Sequence, residues 1–331
     1  MSVISFGQAI NTGLRQAMEL DDSVFVLGIG ADKKSAIFGT TRGLVEQFGP
    51  TRVLDTPVSE QGMTALAAGA ASADLRPVLV HQRIDFMMYT MDQLINWIAP
   101  WRFASGGHAR MPVTIRAIIG KGWGQGPQHS KSLYSWFAHI PGLQVVVPGS
   151  PADAKGLLLS SIMSDDPTVF MEARSLYSME EEVPEDPYFI ALGSALTRRQ
   201  GTDVTVVTFG SMMPLALEAA DQLLALGISA EVVDLRSLMP LDIDTVIRSV
   251  AKTKRLVVTD GDWRMYGVGA EIVASVCEAM GPDMASRPRR VAWPQSFVPT
   301  NQAAEAAFYP QAQDIVSACR SSVEGDGDGR R

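Results

Sequence analysis

The sequence has little of what marks secreted, membrane or nucleic-acid-binding proteins. Its 331 residues include two cysteines, Cys277 and Cys319, so neither a disulfide framework nor a cysteine metal site is expected. A formal net charge of -8 leaves no basic excess for nucleic acid or an anionic membrane. No apolar run reaches the roughly 20 residues that span a bilayer, and no basic region followed by an apolar one begins the chain. We therefore expect a cytoplasmic protein; the mature form of a mitochondrial protein would have the same features.

What the sequence does have is an alternation of apolar strands and helical segments. A hydrophobic content of 46% and a charged content of 19% are typical of a globular protein, and the length allows two domains. From residue 203 onward the alternation predicts a parallel sheet covered on both faces. The acidic, proline-punctuated stretch 180–187 is interpreted as a linker. The predicted helices are 4–20, 63–75, 86–101, 212–226, 243–252 and 268–280, and the predicted strands are 24–28, 77–81, 111–116, 204–209, 230–235 and 255–259.

One acid stands at the start of a predicted helix. Residues 52–62 read Arg-Val-Leu-Asp-Thr-Pro-Val-Ser-Glu-Gln-Gly and place Glu60 before the small-residue helix 63–75. A carboxylate there lies near the positive end of the helix dipole. Taken alone, the pattern is typical of a helix start, with Ser59 as the N-cap residue.

A glycine-rich stretch, Gly120 to Gly126, precedes a histidine, His129. Its spacing fits neither the Walker pattern nor Gly-x-Gly-x-x-Gly at a helix start, so a mobile loop over a site is expected rather than a phosphate cradle. An imidazole titrates near neutral pH and can give and take protons. A loop histidine without further context is nevertheless more often a polar surface residue. His81 and His108 carry no motif and are interpreted as structural.

These segments resemble one enzyme family. Asp-Thr-Pro-Val-Ser-Glu-Gln-Gly at 55–62 and Gln-His-Ser at 128–130 are similar to segments of the beta subunits of the thiamine-diphosphate-dependent 2-oxo acid dehydrogenases. The stretches 134–155 and 234–258 resemble the same subunits, and the likeness reaches more distantly to transketolases.

The resemblance implies an α/β fold with two doubly wound domains. The first is a pyrimidine-binding domain, 1–185, and the second is a transketolase C-terminal-like domain, 186–320. A disordered tail, 321–331, is predicted from its composition.

The resemblance also implies the roles of site residues. Glu60 would hydrogen-bond the aminopyrimidine ring of thiamine diphosphate, Phe86 would stack on that ring, and His129 would transfer protons beside the thiazolium ring. Arg83 stands where the family commonly has an aromatic residue, and either stacks on the pyrimidine or pairs with an anionic substrate. Asp32 is expected to contact the cofactor, in a segment that resembles Gly-x-Ala-Asp-Leu of transketolases.

The half of the cofactor site that holds the diphosphate is missing. The family holds Mg²⁺ and the diphosphate with Gly-Asp-Gly followed roughly 25–30 residues later by an asparagine, and here Gly-Asp-Gly occurs only within 325–329. The resemblance therefore implies an alpha subunit that holds both, in an α2β2 assembly, with a lipoyl acyltransferase as a further partner. The family also binds a monovalent cation such as K⁺ near segments that match 113–114 and 161–166. Ser164 replaces the usual aspartate there, so the resemblance does not decide whether this chain has the K⁺ site.

The expected function is that of the beta subunit of a 2-oxo acid dehydrogenase, which decarboxylates its substrate oxidatively and passes the acyl group to a lipoyl acceptor. A two-chain transketolase-like or acyloin-forming carboligase is the first alternative. Asp32, Arg83 and residues 260–266, where the family usually has Glu-Ala, all favour it. The second alternative is a non-catalytic assembly subunit, against which Glu60 and His129 count.

Overall fold

The computed structural model describes residues 1–33 and 36–325. Contacts divide the chain into two compact units. The first unit contains Met1–Lys121 and Trp136–Leu192, and the second contains Gly122–Ser135 and the chain from Gly193 onward. Most of the glycine-rich loop and His129 therefore belong to the second unit, although residues of the first unit precede and follow them in the sequence. Across the described residues, the helices are too short or too polar to cross a bilayer.

Strands and helices alternate up to residue 192. In chain order they are β1 Ser2–Ser5, α1 Phe6–Leu20, β2 Val24–Gly28, α2 Leu44–Phe48, β3 Val53–Asp55, α3 Glu60–Ser72, β4 Arg76–His81, α4 Ile84–Met87, α5 Trp101–Ala104, β5 Thr114–Ile119, α6 Tyr134–Ala138, β6 Gln144–Val146, α7 Pro151–Met163, β7 Thr168–Ala173 and β8 Glu180–Val183.

The core of the first unit is a parallel sheet in the strand order β6-β7-β5-β4-β2-β3. Its strands are buried apolar runs, as expected for a parallel sheet covered on both faces. The strand order reverses at β2, which lies between β3 and β4. In such sheets, ligands bind outside the carboxyl ends of the strands where the order reverses.

Two predicted helices begin at other residues than expected. Helix α1 begins at Phe6 and not at residue 4, because a capping box fixes its start: the Ser5 hydroxyl accepts from the Gln8 N–H and the Gln8 side chain accepts from the Ser5 N–H. Helix α3 begins at Glu60 and ends at Ser72. Ser59 is its N-cap residue, as predicted, but the Ser59 side chain makes no capping hydrogen bond.

The predicted helix 86–101 is broken. A 3-10 turn follows α4 at Met88–Thr90, a π-helical turn follows at Gln93–Ile98, and Pro100 precedes α5. The predicted strand 111–116 begins only at Thr114, because Pro112 has no N–H to donate and the Met111 N–H bonds to the Asp165 carbonyl.

The second unit repeats the alternation after residue 192. Its elements in chain order are β9 Leu196–Arg199, β10 Val204–Thr208, α8 Met212–Ala225, β11 Ala230–Asp234, β12 Ser237–Met239, α9 Ile243–Thr253, β13 Leu256–Trp263, α10 Val268–Met280, β14 Arg289–Trp293, α11 Gln302–Phe308 and α12 Ala312–Glu324.

The sheet of the second unit has the order β14-β13-β10-β11-β9. The strands are parallel apart from β9, which pairs with β11 in the antiparallel direction. The parallel pairing predicted from residue 203 onward is therefore confirmed for β10, β11, β13 and β14, and the antiparallel edge strand β9 lies before that residue. Helices α8 and α12 bury their apolar faces in the core of this unit, where Leu223, Ile315 and Cys319 are fully buried.

Two segments predicted to be irregular are ordered. Strand β8, within the predicted linker 180–187, pairs with β1, and the buried Lys155 donates to the carbonyls of the three residues that follow β8. Helix α12 extends to Glu324, so the first residues of the predicted tail are helical. Residues 326–331, the rest of that tail, lie outside the described residues.

Candidate active site

The predicted site residues of the first unit follow neighbouring strands. Asp32 follows β2, Glu60 follows β3, and Arg83 and Phe86 follow β4. Strand β2 lies between the other two, and all three are parallel. The four residues therefore come after the carboxyl ends of three adjacent strands, where ligands bind in this type of sheet.

Glu60 is the first residue of α3 and is half-buried. In the part of the chain that the structure describes, its carboxylate makes no hydrogen bond or ion pair. Because the α3 N-terminus carries partial positive charge, this position favours a carboxylate. Glu60 thus offers a polar group to a ligand without first breaking a bond to another described residue.

Phe86 and Arg83 lie on α4 and at its start. Phe86 is 37% exposed, so part of this aromatic residue is accessible at the surface. Arg83 is buried, and its Nη1 lies 3.5 Å from the carbonyl oxygen of Gly120, directly after β5. The guanidinium is therefore held at the same edge of the sheet as the loops after β2 and β3.

The loop that carries Asp32 is held by a residue whose role was missed. Asp55, the last residue of β3, accepts from the Gly30 N–H at 2.6 Å and from Lys33 Nζ at 2.8 Å. The Lys33 ammonium beside it lowers the pKa of the Asp55 carboxyl. Asp32 itself is exposed and lies 3.9 Å from Lys33 Nζ. Asp55 lies within the recognised segment 52–62, but nothing in the sequence alone indicates its contact with Gly30.

His129 belongs to the second unit and is half-buried after a 3-10 turn at Gly126–Gln128. The loop before it is attached to that unit, because the buried carboxylate of Glu305 accepts from the Gly124 N–H at 2.6 Å. Next to it the Ser130 hydroxyl donates to the Gly126 carbonyl at 2.8 Å. Glu305 is 181 residues away in sequence, and no motif pointed to it.

The segment proposed for K⁺ already contains a cationic side chain. Arg76 Nη1 donates to the carbonyl oxygens of Ile162 and Ser164 at 3.2 and 2.8 Å. Its Nη2 donates to Asp165 at 2.8 Å, and its Nε lies 3.4 Å from Asp21. The guanidinium is only 13% exposed. These oxygens therefore already face a positive charge, and the segment does not fit an additional cation.

Among residues 1–33 and 36–325, no group of three or more histidine, cysteine, aspartate or glutamate side chains could hold a metal ion.

Comparisons with known proteins match both halves of the chain. The model of the transketolase pyrimidine-binding domain matches residues 2–180, and that of the transketolase C-terminal domain matches residues 193–315. The beta subunit of acetoin:2,6-dichlorophenolindophenol oxidoreductase from Bacillus subtilis is 42% identical over 95% of this chain and 96% of its own. The beta subunit of the pyruvate dehydrogenase E1 component from the same organism is 40% identical over 98% of this chain and 100% of its own.

The chain belongs to this family of dehydrogenase beta subunits. The resemblance inferred from the sequence is therefore confirmed, and so is the α/β fold with transketolase-type domains. Solved structures agree on the fold of the beta subunit. A split-gene transketolase, solved as an inactive beta4 tetramer, superimposes with a TM-score of 0.81 at 24% identity over 97% of this chain and 99% of its own. A transketolase from Pichia stipitis superimposes with a TM-score of 0.68 at 16% identity and is covered over 47% of its length.

The residues of the first unit fit the pyrimidine ring of thiamine diphosphate. Glu60 offers a carboxylate without a partner among the described residues and Phe86 a partly exposed aromatic side chain, both at the edge of the sheet where ligands bind. Strands β2 and β4 approach so closely that a Cβ on Gly28 would lie 2.7 Å from the Val80 carbonyl oxygen. This fit concerns the ring only; it gives no ligands for a diphosphate.

Proposed function

We propose that this beta subunit acts with thiamine diphosphate in the oxidative decarboxylation of a 2-oxo acid and passes the acyl group to a lipoyl acceptor. The observation that carries the proposal is the carboxylate of Glu60, which starts α3 without a partner among the described residues. Whole-length similarity to the beta subunit of pyruvate dehydrogenase supports the choice of reaction.

Thiamine diphosphate supplies an electron sink for the carbon that loses carbon dioxide. The residues of this chain bind the ring and handle protons. Glu60 would hold a proton at its carboxylate oxygen and share it with a ring nitrogen. Phe86 would stack on the same ring and fix its plane. The His129 imidazole would give and take a proton at a ring nitrogen during acyl transfer.

Arg83 is proposed either to pair with an anionic substrate or to stack on the pyrimidine ring. Its planar guanidinium suits both roles: stacking on an aromatic ring, or a bidentate pair with a carboxylate. Its position beside the Gly120 carbonyl supports either role. Asp32 is proposed as a further contact to the cofactor from the loop after β2.

The chain is proposed to work with an alpha subunit that supplies the ligands for Mg²⁺ and the diphosphate, in an α2β2 assembly served by a lipoyl acyltransferase. The names of its relatives as beta subunits support a partner chain. We propose that the first unit of this chain binds no K⁺, because the Arg76 guanidinium already contacts the carbonyl oxygens that would face the ion. The cytoplasmic location stays a prediction.

A second function is favoured by one observation. The acetoin oxidoreductase subunit is as similar to this chain as the pyruvate dehydrogenase subunit, at 42% against 40% identity. Acetoin is an acyloin, so a reaction that makes or cleaves an acyloin remains the alternative. Measuring both reactions with the purified complex decides between them.

The central test is Glu60→Gln in the complex of this chain with its alpha subunit. The amide keeps the size of the side chain but cannot release or take up a proton, so turnover should fall by at least 100-fold. His129→Ala should give a fall of similar size in acyl transfer. Asp244→Asn is the matched control, because Asp244 is also an acid in the first turn of a helix and is exposed.

Circular dichroism and size-exclusion chromatography should show that all variants fold and assemble. Undiminished turnover of Glu60→Gln in an assembled complex would overturn the proposed function. A chain that tolerates both substitutions would be an assembly subunit.

A further inference from the structure

The segment that carries His129 is attached to the second unit on both sides of the histidine. Before it, the Gly124 N–H donates to Glu305. After it, the hydroxyls of Ser132 and Tyr134 both donate to the carbonyl oxygen of Gly261, at 2.8 and 3.1 Å. All of these hydrogen bonds lie within the second unit. The segment after His129 is therefore held by Gly261, which lies within residues 260–266, where the sequence departs from its family.

The second attachment also involves the carboxylate of Asp262. Burial raises the pKa of this carboxyl, whereas the backbone N–H groups of Leu133 and Tyr134, which face it, lower its pKa. Leu133 has a φ of 58°, a left-handed conformation that costs a bulky residue about 1–3 kcal/mol. Such a conformation persists only where the surrounding contacts determine it, as those of residues 132 and 134 do here.

A second buried carboxylate lies close to the first. Asp260 is 2% exposed and Asp262 is 3% exposed. Asp260 Oδ2 accepts from the Gly269 N–H at the start of α10 at 3.2 Å, whereas its Oδ1 has no partner among the described residues. The groups that face the pair are the N-terminus of α10, the phenol of Tyr134 and the guanidinium of Arg290 on β14.

Two buried acids this close do not both ionise easily. Burial raises the pKa of Asp260 to about 6, despite N–H donors and the charge of Arg290. Burial and the charge of Asp260 raise the pKa of Asp262 to about 7. The two carboxylates titrate as a pair, so near neutral pH the pair keeps part of its protons.

We propose that Asp262 is a positioning residue for His129: with Gly261 it holds residues 132–134 on the second unit, and full ionisation of the Asp260–Asp262 pair releases them. The role of His129 in this statement rests on the proposed function, but the attachment itself does not.

The direction of the effect follows from proton linkage. A carboxyl with a raised pKa binds its proton more tightly when buried than when hydrated, so each proton lost favours opening. Above pH 6 the pair loses its remaining proton. We expect the opening equilibrium of the segment to rise about tenfold between pH 6 and 7 and to level off above it.

Hydrogen exchange of the full chain, alone and with its alpha subunit, tests this without turnover. Peptides that cover residues 129–135 are followed from pH 5 to 8.5, with rates corrected for intrinsic exchange at each pH. The wild-type chain should show the tenfold rise. In D262N the carboxamide cannot ionise, so the rise between pH 6 and 8 should disappear.

Two further variants keep the test decisive if D262N folds poorly. D260N removes the like charge that raises the pKa of Asp262, so the rise should move to lower pH. E305Q loosens the first attachment but keeps both aspartates, so exchange should increase at every pH while the rise remains. In the active complex, the kcat of D262N should lose the corresponding step in its pH profile with KM unchanged.

A pH-independent exchange rate in the wild-type segment, or an unchanged rise in D262N and D260N, would overturn the proposal. Failure of the proposed function is seen separately, as turnover that survives the substitution of Glu60. The exchange result would stand whichever reaction the enzyme catalyses.

Discussion

Each unit buries ionisable side chains on strands of its sheet, but the two clusters differ in charge. In the first unit Arg116 forms a bidentate pair with Glu172, at 2.5 and 2.9 Å, and Tyr177 donates to the same carboxylate at 2.6 Å. In the second unit Asp260 and Asp262 are both acids, with no basic side chain in a salt bridge to either among the described residues.

The difference separates a fixed charge from a titrating one. Burial alone would lower the pKa of Arg116, but Glu172 and Tyr177 outweigh it, so the pKa of Arg116 rises and its guanidinium stays charged at every physiological pH. Burial of Asp260 and Asp262 is not offset in this way, and their pKa values move towards neutrality. A buried charge with an oppositely charged partner thus stabilises the fold. Two buried groups of like charge instead change their protonation with pH.

The largest expected effect comes from breaking the pair in the first unit. Arg116→Leu leaves the fully buried Glu172 without its counter-charge, which should cost about 3–5 kcal/mol of stability. Hydrogen exchange in β5 and β7 and the urea midpoint measure the loss. The elements of the second unit should keep their protection.

The double variant Arg116→Leu with Glu172→Leu is the matched control. It removes both charges, so it should be more stable than either single variant. A double variant that loses the sum of the two single effects would contradict the view that the pair acts as a unit.

The sequence predicted individual strands and candidate site residues, but it did not predict the long-range contacts between side chains. Apolar runs located β2, β4, β10 and β11 within one or two residues, because period and burial are local properties. The segments 55–62 and 128–130 pointed to Glu60 and His129 by resemblance.

The attachments of His129 could not be predicted in this way. Ser132 meets Gly261 across 129 residues and Gly124 meets Glu305 across 181, and no periodic pattern encodes a contact at such a separation. The broken helix after Phe86 was missed because its methionines and aromatics are spaced as in one continuous helix. Only Pro100 indicated where it ends.

A smaller expected effect is the pH dependence of stability, which should differ between the two units. His81, at the end of β4, is buried, and its Nε2 has no partner among the described residues. Burial lowers its pKa from 6.5 to about 4. The unfolded chain therefore binds this proton more readily, and stability is lost as the pH falls from 6.5 through 4, by about 3 kcal/mol in all. Asp260 and Asp262 change stability in the opposite direction over this range.

Hydrogen exchange between pH 4 and 7 should show both trends in one sample. Protection in β4 should fall as the pH is lowered, and protection near β13 should rise. His81→Leu should remove the first trend alone, with the exposed His108→Gln as control. Parallel trends in the two units would show that a global opening governs exchange and that neither cluster acts locally.

The smallest expected effect concerns Arg76, a second paired cation of the first unit. Its guanidinium binds the carbonyls of Ile162 and Ser164 and the carboxylate of Asp165. Arg76→Met should cost about 1–3 kcal/mol, the range for a hydrogen-bonded charge. It also leaves a set of oxygen atoms of the kind that coordinates K⁺. The wild-type complex should therefore melt at the same temperature in potassium and tetramethylammonium chloride, whereas the variant should regain part of its stability in potassium only. A wild-type melting temperature that rises and saturates with K⁺ would contradict this, since it would require a cation in addition to Arg76.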